Sequence, residues 1–166
     1  MKTEPLNIFN NPKQSAQVEE RLRRILKSWE GTPHMDGQRA KGVGVDCVQF
    51  VAAVLDELAG TETELKSLPK DTAFHQRDKA VAGMKLFIKH FNGEKVDEPY
   101  QPGDVFITGP LSGGPGHAII LGPDRGLWHS ATNRVIRSGF DALNSPVYKH
   151  KATFRVKDRW ASWVID

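Results

Sequence analysis

The chain holds one cysteine, Cys47, in 166 residues, so it has no intramolecular disulfide and its fold does not depend on an oxidising compartment. That thiol must be buried, bound or reactive. No run approaches the roughly 20 apolar residues of a membrane span, and the opening MKTEPLNIFNNPKQ has no apolar stretch of the length a signal peptide needs. The expectation is a chain made in the cytoplasm, with no membrane partner, that reaches a virion or the periplasm and cell wall only by another route. Charge of one sign is scarce too: 23 Lys and Arg against 20 Asp and Glu leave a net +3. That is too mild and dispersed for a nucleic-acid binder. There is also no internal repeat, no low-complexity tract and no linker that would divide the chain.

What is there is an ordinary globular composition, 39% hydrophobic and 26% charged, enough for one core and one domain over residues 1–166. Val18, Leu22, Ile25, Leu26 and Trp29 recur on one face of a 3.6-residue period, which predicts a helix over Ser15–Trp29 after an extended segment 1–14. Pro33 and the glycines at 31, 37, 42 and 44 make an irregular loop that leads to Asp46. Asp46 is a good N-cap, and Cys47, Phe50, Val51, Val54, Leu55 and Leu58 follow with helical spacing until Gly60 stops the pattern. A helical insert over 60–100 is expected next, with a third helix over Lys79–Phe91 closed by Asn92-Gly93.

Beyond Pro102-Gly103 the pattern shortens to β-rich runs at Asp104–Thr108, His117–Leu121, Leu127–Ala131, Arg134–Arg137, Phe154–Lys157 and Trp160–Ile165. Helices followed by strands predict an α+β fold with a mostly antiparallel sheet. The runs ending at Leu121 and starting at Leu127 flank Gly-Pro-Asp-Arg-Gly, a hairpin connection. If Leu121 pairs with Leu127, Ile119 faces His129, and His117 and His129 become diagonal neighbours on one face, within reach of a hydrogen bond. A one-residue slip destroys that arrangement.

Cys47 in the first turn of a helix meets unpaired N–H groups and the positive end of the dipole, which favour a thiolate. A histidine pair is what a nucleophilic thiol needs: one imidazole takes its proton, the other fixes the first one's tautomer and orientation. Cys47, His117 and His129 are thus the candidate nucleophile, base and orienting residue. A competing reading gives Cys47, His117, His129 and His34 to zinc, but no short Cys-x-x-Cys or His-x-x-x-His clamp is present. Neither a metal nor another cofactor is expected. Gly109–Gly116 lacks the Lys-Ser or Lys-Thr of a phosphate loop and reads as a loop leading to His117.

Several pieces, in order, resemble the NlpC-type papain-like cysteine peptidases and amidases of the bacterial cell wall. Trp29-x-Gly31-Thr32-Pro33 comes first, then Gly44-Val45-Asp46-Cys47-Val48-Gln49-Phe50-Val51, similar to the family's Asp-Cys-x-x-Phe-Val nucleophile helix. Gln101-Pro102-Gly103-Asp104-Val105, Gly116-His117-Ala118-Ile119-Ile120-Leu121-Gly122 and Trp128-His129-Ser130 then resemble the opening strand, the base strand and the strand of the third polar residue. The resemblance spans roughly residues 26–137 and is nearest in look to phage-tail-associated members.

It implies a papain-like fold and hydrolysis of amide bonds in peptidoglycan stem peptides, such as γ-D-glutamyl–diaminopimelate, with a phage-tail or secretion-machine protein as delivery partner. His34 stands where many members have a tyrosine beside the nucleophile, so His34, with Asp46, is expected to border the oxyanion and substrate side of the thiol. The alternative of another class is a catalytically inactive adaptor module in a tail or secretion assembly. Circularly permuted acyl-transfer relatives place the histidine before the cysteine, whereas here it follows.

Overall fold

The computed structural model describes residues 12–60, 93–110, 117–131, 133–144 and 148–156. Over the described residues it is an α+β arrangement of two α-helices and a six-stranded antiparallel sheet with a small two-stranded hairpin. The expected third helix over Lys79–Phe91 and the strand over Trp160–Ile165 lie outside the described residues, as do residues 1–11.

Helix α1 (Pro12–Trp29) buries the predicted stripe of Val18, Leu22, Ile25, Leu26 and Trp29. It starts earlier than the 1–14 extended segment allowed, because a proline is well tolerated in the first helical position. The hairpin β1 (Arg39–Ala40) and β2 (Gly44–Val45) was not foreseen in the loop that follows. Gly44 is required there, since a Cβ would come within 2.8 Å of the Met35 side-chain carbons.

Helix α2 (Cys47–Ala59) has Asp46 as its N-cap and Gly60 at φ 65° as its left-handed stop. It is buried on almost every side rather than on one stripe, Glu57 and Ala59 excepted. Two polar residues within it, Gln49 and Asp56, tolerate burial because Arg39 reaches both: Nε donates to Gln49 Oε1 at 3.1 Å and Nη1 to Asp56 Oδ2 at 3.0 Å.

The sheet runs in the order β3 (Gly93–Lys95), β8 (Tyr148–Val156), β4 (Val105–Pro110), β5 (His117–Leu121), β6 (Leu127–Ser130), β7 (Val135–Ser138). A short 3-10 helix, Phe140–Asn144, precedes β8. Residues 93–95 thus belong to the sheet and not to the helical insert expected over 60–100; they pair with β8, a partner about 60 residues away in sequence that no local pattern reveals. Strand β8 begins at Tyr148, ahead of the predicted Phe154, with a register shift opposite Ile107/Thr108.

Alternation gives the sheet two faces. Val105, Ile107, Ala118, Ile120, Trp128, Val135 and Phe154 pack with α1 and α2 in one core. Phe106, Ile119, Leu121 and Leu127 pack on the opposite face with Leu143, flanked by Tyr100 and Phe140. Ahead of β4, buried Asp104 accepts two hydrogen bonds from Arg155, each 2.8 Å, and locks β8 to the start of β4.

Removing Arg39 takes the guanidinium away from a buried carboxylate on α2. Arg39→Ala is expected to lower the unfolding free energy by about 3 kcal/mol, read from the urea midpoint at constant slope, whereas Arg24→Ala at the exposed Arg24–Glu20 pair costs below about 1 kcal/mol. Equal effects would refute the stapling role.

Candidate active site

The start of α2 is fixed by a carboxylate. Asp46 has an extended backbone, accepts from Gln49 N through Oδ1 at 2.7 Å and from Gly37 N through Oδ2 at 2.8 Å, and is fully buried. Burial lifts its carboxyl above the ordinary 3.8, against the pull of those two N–H groups and of His34. Each oxygen accepts from a backbone donor, so Asp46 positions the loop and the helix. Cys47 is the first residue of α2; it is buried and packs in the helix-side core.

The histidine pair forms as the hairpin register requires. Leu121 pairs with Leu127 and Ile120 with Trp128, and the five residues 122–126 close the turn, with Gly122 N donating to Gly126 O at 2.8 Å. His117 Nε2 and His129 Nδ1 are 2.7 Å apart, rings at 75°. The arrangement continues one strand further: His129 Nε2 lies 2.9 Å from Ser138 Oγ. Because Leu127 pairs with Ser138 and His129 with Ile136, each step of the chain His117–His129–Ser138 is a diagonal on one face of the sheet.

Burial keeps these imidazoles uncharged. The pKa of His117 falls to about 3, through desolvation first and then repulsion from His129 and His34; that of His129 falls to about 4 through desolvation. Between two neutral rings one nitrogen donates and the other accepts. With His117 Nε2–H donating to His129 Nδ1, and His129 Nε2–H donating to Ser138 Oγ, His117 Nδ1 carries a lone pair.

A second cluster ties the nucleophile's helix to the same end of the sheet. Buried Ser130 donates its O–H to Val45 O at 2.8 Å, so its lone pairs receive His34 Nδ1–H at 2.8 Å. His34 Nε2 meets exposed Asp36 Oδ1 at 3.2 Å. Both ring nitrogens of His34 are therefore engaged, and an oxyanion contact from it requires a protonated Nε2 that leaves Asp36. Antiparallel pairing puts the first residue of β5, His117, and the last of β6, Ser130, at one end of the sheet. Val45 brings Cys47 there. The start of α2 and the two imidazoles thus share that end of the sheet. His34 acts electrostatically on both Asp46 and His117.

Among the described residues no three His, Cys, Asp or Glu side chains converge as metal ligands; His129 and His34 already use both nitrogens. Among them, too, no helix is long and apolar enough to cross a membrane. Sequence reasoning missed Ser138 and Ser130. The signal for Ser138 was its alternation with Ile136; the predicted strand stopped at Arg137, one residue short.

Unfolded, these two imidazoles bind protons below the ordinary 6.5; folded, they resist protonation to about 3 and about 4. The unfolded state binds more protons in that window, so the stability linked to them is complete above 6.5 and falls as pH drops from there. Urea unfolding at pH 7.5 and 5 is expected to show a smaller acid loss for His117→Gln/His129→Gln than for the wild type. Identical losses would refute the neutral buried pair.

Compared with known proteins, the chain matches no family model and no curated protein.

Proposed function

We propose that the chain is a papain-like, NlpC-type cysteine hydrolase that cleaves an amide bond in bacterial peptidoglycan stem peptides. The observation that carries this reading is the hydrogen-bonded chain His117–His129–Ser138 at the sheet end to which Ser130 pins the start of the Cys47 helix. The ordered motifs that resemble those of that family support the substrate class.

In the proposed reaction Cys47 Sγ gives its proton to His117 Nδ1 and bonds to the scissile carbonyl carbon. The backbone N–H of Cys47, at the positive end of α2, faces the developing oxyanion, and His34 adds a second donor in its doubly protonated form, once Nε2–H leaves Asp36. Collapse breaks the C–N bond, and the proton on His117 goes to the departing amine. Water then attacks the thioester with His117 as base, releasing the acid and restoring the thiol. His129 holds His117 in the Nε2–H tautomer, and Ser138 does the same for His129. A phage-tail or secretion-machine protein would deliver the domain to the wall.

The near-complete burial of Cys47 favours a second reading, an inactive adaptor with the same fold.

Mass spectrometry of peptidoglycan digested by wild type and Cys47→Ala, with chelator present, separates the two. New peptide ends that depend on Cys47 are expected. The fall in kcat should be largest for His117→Ala, smaller for His129→Ala, by about 10²–10⁴-fold for loss of the base, and smallest for Ser138→Ala. Equal digestion by Cys47→Ala sinks the mechanism; no digestion by either protein favours the adaptor.

A further inference from the structure

The turn between β6 and β7 is sewn to the loop ahead of Cys47. His34 N donates to Asn133 O at 2.9 Å, Val135 N to Thr32 O at 2.8 Å and Gly31 N to Val135 O at 3.0 Å, while Pro33 bridges Arg134. At this junction lies a surface cavity of about 430 Å³ lined by Ala131, Asn133, Arg134 and Ile136. Ile136 sits directly opposite His129 in the strand register, so the cavity opens beside the histidine pair, on its face of the sheet.

Arg134 is distinctive among the described arginines. Arg21, Arg23, Arg24, Arg39, Arg125, Arg137 and Arg155 each reach a carboxylate, amide or carbonyl oxygen. Arg134 is exposed and no such acceptor meets it among the described residues. Its backbone is nevertheless rigidly placed, with Ala131 N donating to Arg134 O at 3.1 Å. A guanidinium without a partner among the described residues, on a fixed backbone, with Asn133 and Ile136 lining the same cavity one strand from His129, suits a planar anion on a short aliphatic stem.

We infer that Arg134, with Asn133, forms a carboxylate-reading subsite that selects acidic peptides, Ile136 packing against the aliphatic part of the acidic residue. The inference rests on the peptide-hydrolase reading for the nature of the ligand. The subsite sets binding and orientation and takes no part in proton transfer.

Calorimetric titration of the Cys47→Ala protein with the tripeptide L-Ala-γ-D-Glu-diaminopimelate, and with the same tripeptide carrying amides in place of its carboxylates, tests it. Arg134→Gln in that background is expected to weaken the acidic tripeptide about 10- to 100-fold, the range of a charge-assisted contact, Arg134→Lys less, and to leave the amidated peptide unchanged. Unchanged binding of the acidic peptide, equal losses for both peptides, or no binding of the acidic peptide before substitution each overturn the subsite. Digestion of peptidoglycan by the Cys47-intact protein, run alongside, keeps the two readings apart. Cys47-dependent cleavage with Arg134-independent binding rejects the subsite alone; Arg134-dependent binding without cleavage upholds the subsite and rejects the hydrolase.

Discussion

The pairing of Leu121 with Leu127 decides what this sheet presents. Side chains on a strand alternate with a period of two, so that register puts Ala118, Ile120 and Trp128 under the helices and His117, Ile119, Leu127 and His129 on the other side. A shift by one residue would drive both imidazoles into the helix-side core and expose the apolar set. The core therefore enforces the histidine geometry: burial of several large side chains, each worth about 1.5–3 kcal/mol, stabilises the one register in which two rings meet at 2.7 Å. The polar chain itself, a few bonds of about 1 kcal/mol each, is too weak to set it.

A second constraint joins the helix to that sheet end. Ser130 belongs to β6 yet bonds to Val45 O and His34, so the strand carrying His129 also holds the residue two before Cys47. Asp46 completes the clamp from the other side by tying Gly37 N and the first turn of α2 to one carboxylate. A buried carboxylate is costly unless its oxygens are occupied, and here both are. The raised pKa of Asp46 records the residual desolvation. Its function is to fix where the first turn of α2 begins, and with it the direction in which the N–H groups around Cys47 point.

The parts legible in the sequence are those set by local periodicity. Helix α2 with its Asp46 cap and Gly60 stop, the Val18–Trp29 stripe of α1, and the His117–His129 diagonal all follow from spacing and one turn. What escaped depends on contacts distant in sequence. β3 is a strand only because β8 lies beside it, and Gly93 in isolation reads as a helix stop. Gln49 and Asp56 are polar residues that burial should reject, and Arg39, 10 and 17 residues away, helps make them acceptable. Ser138 lay one residue past the predicted strand, and its bond to His129 needs the β6–β7 register, which a short connection of ordinary residues does not specify. The same holds for Asp46: its residue type announces a cap, while its second oxygen is engaged by a glycine N–H that only the folded loop delivers.

Burial of the histidine pair carries a consequence for any base chemistry at this end of the sheet. An imidazole whose pKa is pushed down to about 3 holds an added proton poorly by itself, so a resting thiolate–imidazolium pair is disfavoured there. The proton can settle on His117 only as a negative charge forms nearby and is itself stabilised. In a low-dielectric surrounding such opposite charges attract strongly, and the N–H groups at the start of α2 favour the anion. In the proposed reaction that condition is met when the carbonyl arrives and charge moves from sulfur to the oxyanion. The tautomer chain ending at Ser138 Oγ keeps the accepting nitrogen of His117 unprotonated until then. Hydrophobic enclosure, which looks unfavourable for a base at rest, thereby couples proton transfer to the presence of substrate.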